Sequence, residues 1–366
     1  MKRINLNNIG QKGYPLFLGD QLGLLENINV TNEKIAYLRD QEVGVNWVWT
    51  EFSLKKDALD IQNPSYAIEN VLMSETLTFQ MFGDKEASSV KTVLEPVISN
   101  NELMTELSYR GWNETVHALA YSEIVRVAYK NSQEMLLNIR DNEHVLKRAN
   151  FYSEEMDNAY FRIIKWVLDG RPENQKYELK FYIAKYIIIL YLLESISFKA
   201  SFACTFAIKR STNGAFSGIS ATVAYIARDE LIHAEIDRQI IISLLKESNE
   251  WKDIFKRLEP WALTVINNLI KLEEDWADYL FSNNRNITDL NANLLKRYIN
   301  FSSKEIYDTL NLTKYCKNTD KYDPLPWIKT DFLELDNVQF AAQEIQTENY
   351  KNNSINNDNF GKIYDF

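Results

Sequence analysis

No proline falls between Pro96 and Pro172, and none between Pro172 and Pro260. Proline removes an amide donor and clashes with the helical turn before it, so both stretches are free to run as long helix. Glycine is sparse too: 11 Gly and 7 Pro stand among 366 residues. A sandwich or barrel needs many turns of the kind these residues make. The apolar spacing predicts an all-α chain, with helices near 66–82, 100–129, 133–147, 153–169, 177–208, 216–246, 252–282 and 287–300. Gly170-Arg171-Pro172 is the clearest stop signal between them.

The ends differ from this middle. Residues 1–65 read as an irregular arm with short helices, because Gly10, Gly13, Pro15, Gly19 and Gly23 break any period. Residues 66–338 form the helical domain, and 339–366 read as a flexible tail too polar to offset its ordering entropy. That tail nevertheless ends with Phe360, Ile363, Tyr364 and Phe366 close together. Chance stickiness and a docking peptide for a partner explain this cluster equally well.

Apolar residues make up 45% of the chain, enough for a large core. The net charge of −10, with no dense basic tract, argues against nucleic acid as a partner. Cys204 and Cys316 are the two cysteines, too few for a disulfide framework or a thiolate zinc site, which fits a reducing cytoplasm. The N-terminus lacks the apolar centre of a secretory signal. The greasiest run, Tyr186 to Leu193, is too short to cross a bilayer and reads as buried helix.

Two of the three histidines follow a glutamate by three positions, in Glu114-Thr-Val-His117 and Glu230-Leu-Ile-His233. On a helix, residues i and i+3 share a face, so each pair can present a carboxylate and an imidazole to one point. One such pair is weak evidence of a site; two that use most of the histidine are not. Glu194 follows the apolar run and shares a face with Phe198 and Phe202, where a bare carboxylate is costly. Asp84 alone would pass for a surface or capping aspartate. Together the six match the inventory of a ferritin-like carboxylate bundle, with one acid from each of two helices and Glu-x-x-His from two others. Four carboxylates balance two divalent ions, and oxygen and imidazole donors suit iron or manganese. Tyr121 lies two helical turns after Glu114 on the same face. It is either a buried tyrosine in need of a hydrogen bond or, beside a metal pair, a one-electron donor.

These segments carry a resemblance. Asn113-Glu-Thr-Val-His117-Ala-Leu-Ala-Tyr121, Glu194-Ser-Ile-Ser-Phe198-Lys-Ala-Ser-Phe202 and Ile226-Ala-Arg-Asp229-Glu230-Leu-Ile-His233 resemble the metal helices of class I ribonucleotide reductase small subunits, most like class Ia. Asp275-Trp-Ala-Asp-Tyr-Leu-Phe281 and Pro324-Leu-Pro-Trp-Ile328 extend the similarity outside the site. The resemblance implies a radical-generating subunit of ribonucleoside-diphosphate reductase, a homodimer active only with a separate large subunit. Two iron ions are implied, with manganese possible: Asp84, Glu114 and His117 on one, and Glu194, Glu230 and His233 on the other. It further implies Tyr121 as the stable radical and Phe198, Phe202 and Ile226 as the apolar wall around it. Trp47 and Asp229 would begin the electron-transfer path, and Tyr350 and Glu344 would pass the radical to the large subunit, which the tail's aromatic cluster docks. Lys199 departs from the pattern, since an aromatic residue is more usual there. The Asn-, Lys- and Ile-rich composition hints at an AT-rich genome such as a phage's, which would place the protein in the host cytoplasm. A different reading keeps the metals and makes the chain an oxidase or oxygenase of a small molecule.

Overall fold

The computed structural model describes residues 5–9 and 15–333. Among them lie twelve α-helices: α1 Glu33–Gly44, α2 Lys55–Ile61, α3 Ala67–Ala87, α4 Val90–Leu94, α5 Asn101–Ala128, α6 Ser132–Asp141, α7 Glu143–Leu168, α8 Lys176–Leu192, α9 Phe198–Ser211, α10 Ser217–Glu247, α11 Asn249–Leu280 and α12 Ala292–Thr309. Two isolated bridges, one of them Phe17 to Ile98, are the only β pairing among the described residues. Asparagine starts many of the helices. The side chains of Asn32, Asn100, Asn131, Asn142 and Asn291 each accept an amide hydrogen bond from the first turn of α1, α5, α6, α7 and α12, meeting donors that have no partner within the helix.

Helix α3 packs on α5 and α9, while α10 packs on α5, α8 and α9. Around this inner set, α7 and α11 lie on α8, and α12 lies on α11. Helix α1 rests on both α5 and α10, burying Ile35, Ala36 and Leu38. The expected arm thus reaches the centre of the bundle. Three limits differ from the sequence reading, and the first is that the helix expected at 66–82 runs on to Ala87 as α3. The break expected near 148–152 falls at Asn142, whose cap starts α7, and the helix expected at 287–300 runs instead as α12. The expected tail and its boundary lie outside the described residues.

From Glu173 to Ser211 the helix is continuous, and by length and composition it would pass for a membrane span; 94% of its most apolar window is buried in the protein. It is a core helix. Its winding changes at Leu193–Ser197, a single π turn that separates α8 from α9. Such turns insert an extra residue into the ladder and occur often at functional sites.

A buried ion pair braces that turn. Arg148 of α7 donates from Nε to Glu273 Oε1 at 2.9 Å and from Nη2 to Oε2 at 2.8 Å. Its guanidinium stacks on Phe79 and Trp276, and Ser197, the last residue of the π turn, also donates to Glu273. Both charged side chains are fully buried. Removing one partner strands the other charge in the core, so Arg148→Met is expected to cost about 3–5 kcal/mol in denaturant unfolding. The double variant Arg148→Met/Glu273→Leu should recover most of that loss. A single-variant cost under about 1 kcal/mol would show that the pair is not the brace described.

Candidate metal centre

Helix α5 presents Glu106, Arg110, Asn113, Glu114, His117 and Tyr121 as one buried stripe, the spacing of a single helical face. Helix α10 opposes it with Asp229, Glu230, His233 and Asp237, all buried. Asp84 comes from the last turn of α3, and Glu194 from the π turn. Gly83 makes room for this approach: a Cβ there would stand 2.5 Å from Phe198 Cε1. The helix runs one turn beyond the expected limit at 82, so Asp84 is part of its last turn and not a cap that follows it.

The six predicted side chains converge, and their donor atoms fall into two overlapping groups. Asp84, Glu114, His117 and Glu230 form one, while Glu114, Glu194, Glu230 and His233 form the other, each with ligand atoms within 4.8 Å of one another. Glu114 and Glu230 belong to both. Glu230 sets Oε1 3.0 Å from His117 Nδ1 and Oε2 2.7 Å from His233 Nδ1. Glu114 does the same, with Oε2 3.5 Å from His117 Nδ1 and Oε1 3.3 Å from His233 Nδ1. Two carboxylates therefore straddle two imidazoles, where the resemblance divided the six residues three and three.

The outer nitrogen of each imidazole has an acid of its own. His117 Nε2 lies 3.2 Å from Asp229 Oδ2, and His233 Nε2 lies 3.0 Å from Glu42 Oε1. These contacts turn Nδ1 of both rings inward, as second partners of metal-binding histidines do. Asp229 Oδ2 also accepts from Trp47 Nε1 at 2.7 Å and from Asn113 Nδ2 at 3.2 Å. The Trp47 ring stacks near His117, with centroids 6.1 Å apart. Trp47, Asp229 and His117 thus form one connected chain, and Trp49 is only partly buried against the core. Asp229 is fully buried, so its 3.8 Å approach to Arg228 is no surface ion pair.

Burial pushes the Asp84 and Glu194 carboxyls well above the usual range, reinforced by neighbouring acids such as Glu114 and Glu230. Burial would lower both imidazoles, but Glu230 and its neighbouring carboxylates hold His117 and His233 well above the ordinary histidine value. Glu230 goes the other way: burial would raise it, yet the two imidazoles together hold it well below a normal glutamate. The metal-free cluster therefore gathers protons, which bound cations would displace. Both oxygens of Asp84 and Oε2 of Glu194 are buried without a hydrogen-bond partner. Orphaned acceptors of this kind, on oxygen and imidazole donors, fit a pair of hard divalent ions.

Four charged residues at the centre were not read from the sequence. Arg110 is fully buried and pairs with Glu194 at 2.5 Å, Asp237 at 2.9 Å and Glu114 at 3.5 Å. Arg110 precedes Glu114 by four residues and Asp237 follows His233 by four, so a search for charges at helical spacing finds both. Glu42 lies far away in the sequence and gives no such signal. Glu106, one turn before Arg110, has neither oxygen hydrogen-bonded, and burial together with nearby Glu42 pushes it up to about 8. Because this pKa is raised on folding, its stabilisation is complete below the ordinary glutamate value and is lost as pH climbs through about 8. Glu106→Gln should leave metal-free stability nearly unchanged at pH 4.5 and raise it by a few kcal/mol at most at pH 9. Equal effects at both pH values, measured by thermal melts, would contradict this.

Tyr121 is fully buried and its Oη has no hydrogen-bond partner. Burial, then the Asp84, Glu230 and Glu114 carboxylates, raise its pKa well above that of a free phenol. Phe198, Phe202 and Ile226 are buried in the same core, and the first two stack with centroids 5.7 Å apart. His144, the third histidine, stands apart from the centre and stacks on the Tyr279 ring with centroids 4.1 Å apart, partly covered. Glu344, Tyr350, Phe360, Ile363, Tyr364 and Phe366 lie outside the described residues.

Known proteins share this arrangement of helices. A solved structure titled ribonucleotide reductase R2 subunit from Clostridium botulinum superposes with a TM-score of 0.75 at 24% identity, covering 92% of this chain and 99% of that one. The ribonucleoside-diphosphate reductase subunit beta of Enterobacteria phage T4 is 26% identical, with 98% of this chain and 97% of the relative aligned. The ribonucleoside-diphosphate reductase 1 subunit beta of Escherichia coli O157:H7 is 25% identical, with 92% of this chain and 91% of the relative aligned. A family profile described as "Ribonucleotide reductase, small chain" matches residues 26–324. The chain therefore folds as a ferritin-like bundle and belongs to the ribonucleotide reductase small-chain family.

Proposed function

We propose that the chain is the radical-generating subunit of a ribonucleoside-diphosphate reductase, built around two metal ions. The observation that carries this reading is the pair of carboxylates, Glu114 and Glu230, each with one oxygen toward His117 and the other toward His233. Asp84 and His117 would complete one metal's ligands, and Glu194 and His233 the other's. When bound, iron or manganese supplies oxygen-dependent one-electron oxidation. Asp229 and Glu42 orient the two imidazoles, and Arg110 offsets the acid excess beside Glu194.

Tyr121 gives up an electron together with its Oη proton, which no hydrogen bond to a described residue holds in place. Phe198, Phe202 and Ile226 keep water and reductants from the resulting phenoxyl, as reactive intermediates require. The oxidising equivalent leaves through His117, Asp229 and Trp47, a path supported by the 3.2 Å and 2.7 Å contacts between them. Beyond Trp47, the reading assigns Glu344 and Tyr350 to transfer into the large subunit and the Phe360–Phe366 cluster to docking. It also holds that the protein works as a homodimer in the cytoplasm. The test is reconstitution of the full chain with ferrous iron and oxygen: a sharp tyrosyl signal in electron paramagnetic resonance is expected. A metal-loaded protein with no radical would favour the small-molecule oxidase instead.

A further inference from the structure

The ligand side chains are buried, but on one side a small cavity separates them from a surface groove. An open groove of about 800 Å3 is lined by residues of α9, α10 and α12, among them Lys199, Leu231 and Tyr298. Beneath it lies a cavity of about 20 Å3 that touches Glu194 and Glu230, room for one water-sized molecule. Lys199, Leu231, Tyr298, Ile328 and Leu333 line both spaces. The two spaces therefore adjoin across these five side chains, a candidate passage whose inner end meets Glu194 and Glu230.

Charge along this passage runs against the rest of the chain. The groove has five basic side chains, Lys199, Arg238, Lys246, Lys304 and Lys329, against Glu305, Asp308 and Asp323, while the whole protein carries −10. Of the five, Lys199 alone also lines the inner cavity. Its ammonium is lowered by burial and supported by the fields of Glu305 and Asp323. A neutral side chain here would leave the passage uncharged. A lysine puts a positive charge at the constriction, where lower effective dielectric makes its repulsion of a second cation felt.

We infer that Lys199 is an electrostatic gate on this passage, letting small neutral or anionic molecules reach the centre and slowing divalent cations. The inference rests on the two-metal reading above. It is tested by adding Mn(II) to the metal-free full-length protein and following the disappearance of the free-ion resonance with time. Lys199→Met, which keeps length and removes charge, should take up Mn(II) about tenfold faster at low ionic strength, with a smaller difference at high salt. Lys199→Arg should restore the slow uptake, and the bound stoichiometry should be the same in all three. If Lys199→Met melts early, Lys199→Gln takes its place. Uptake by the neutral variants within about twofold of the unmodified chain, at equal stoichiometry, would overturn the gate and leave the metal site standing. Absence of Mn(II) binding in every chain, the unmodified one included, would instead remove the metal reading on which the gate depends.

Discussion

Tyr121→Phe is expected to bind the full complement of metal and yield no tyrosyl signal at all after treatment with ferrous iron and oxygen. The separation should be clean, because the substitution keeps the ring and deletes only Oη. That atom is buried and has no hydrogen-bond partner among the described residues, so its loss strands no other group. Stability should change by less than about 1 kcal/mol, or rise slightly. Electron paramagnetic resonance and metal analysis on one sample provide both readouts. A signal of unchanged shape in the variant would transfer the role to another buried tyrosine.

The second large effect concerns Glu230. Its oxygens face different imidazoles, 3.0 Å and 2.7 Å away, so Glu230→Ala removes a ligand from both proposed metals together. Bound metal should fall from two ions per chain to one or none, and affinity for any remaining ion should drop by 100-fold or about that. A substitution at Asp84, present in only one donor group, should weaken one metal far more than the other. Melting the metal-free proteins separates a lost ligand from a lost fold. Full loading of Glu230→Ala would exclude the shared-ligand arrangement.

The centre was legible in the sequence to the extent that its geometry is local. Glu114 with His117, and Glu230 with His233, are joined by a fixed helical offset that any reader of the chain can measure. Histidine is rare enough here for the repetition to count. Tyr121 follows from the same ruler. Asp84 and Glu194 belong to other helices, and no fixed offset ties them to the pairs; the inventory of a carboxylate bundle connected them, and the resemblance then assigned each to a metal. Glu42 was out of reach for a further reason: its partner, His233, stands 191 positions away, and nothing local to Glu42 marks it as buried. Helix limits failed where caps decide them. Asn142 starts α7 through its side chain, yet asparagines recur along this chain and most do not begin a helix. The winding change at Leu193–Ser197 has no glycine or proline to announce it; packing around Glu194, Ser197 and Glu273 sets it.

That widened turn also limits how the gene can change. An added or lost residue in a surface loop merely alters slack. Here it would rotate all of Phe198–Ser211 by about 100° about its own axis, swapping the face that carries Phe198 and Phe202 for one that carries neither. Substitutions that spare Glu194 and Ser197 keep this register, but single-codon insertions and deletions between Leu193 and Ser197 should be purged from descendants of this chain.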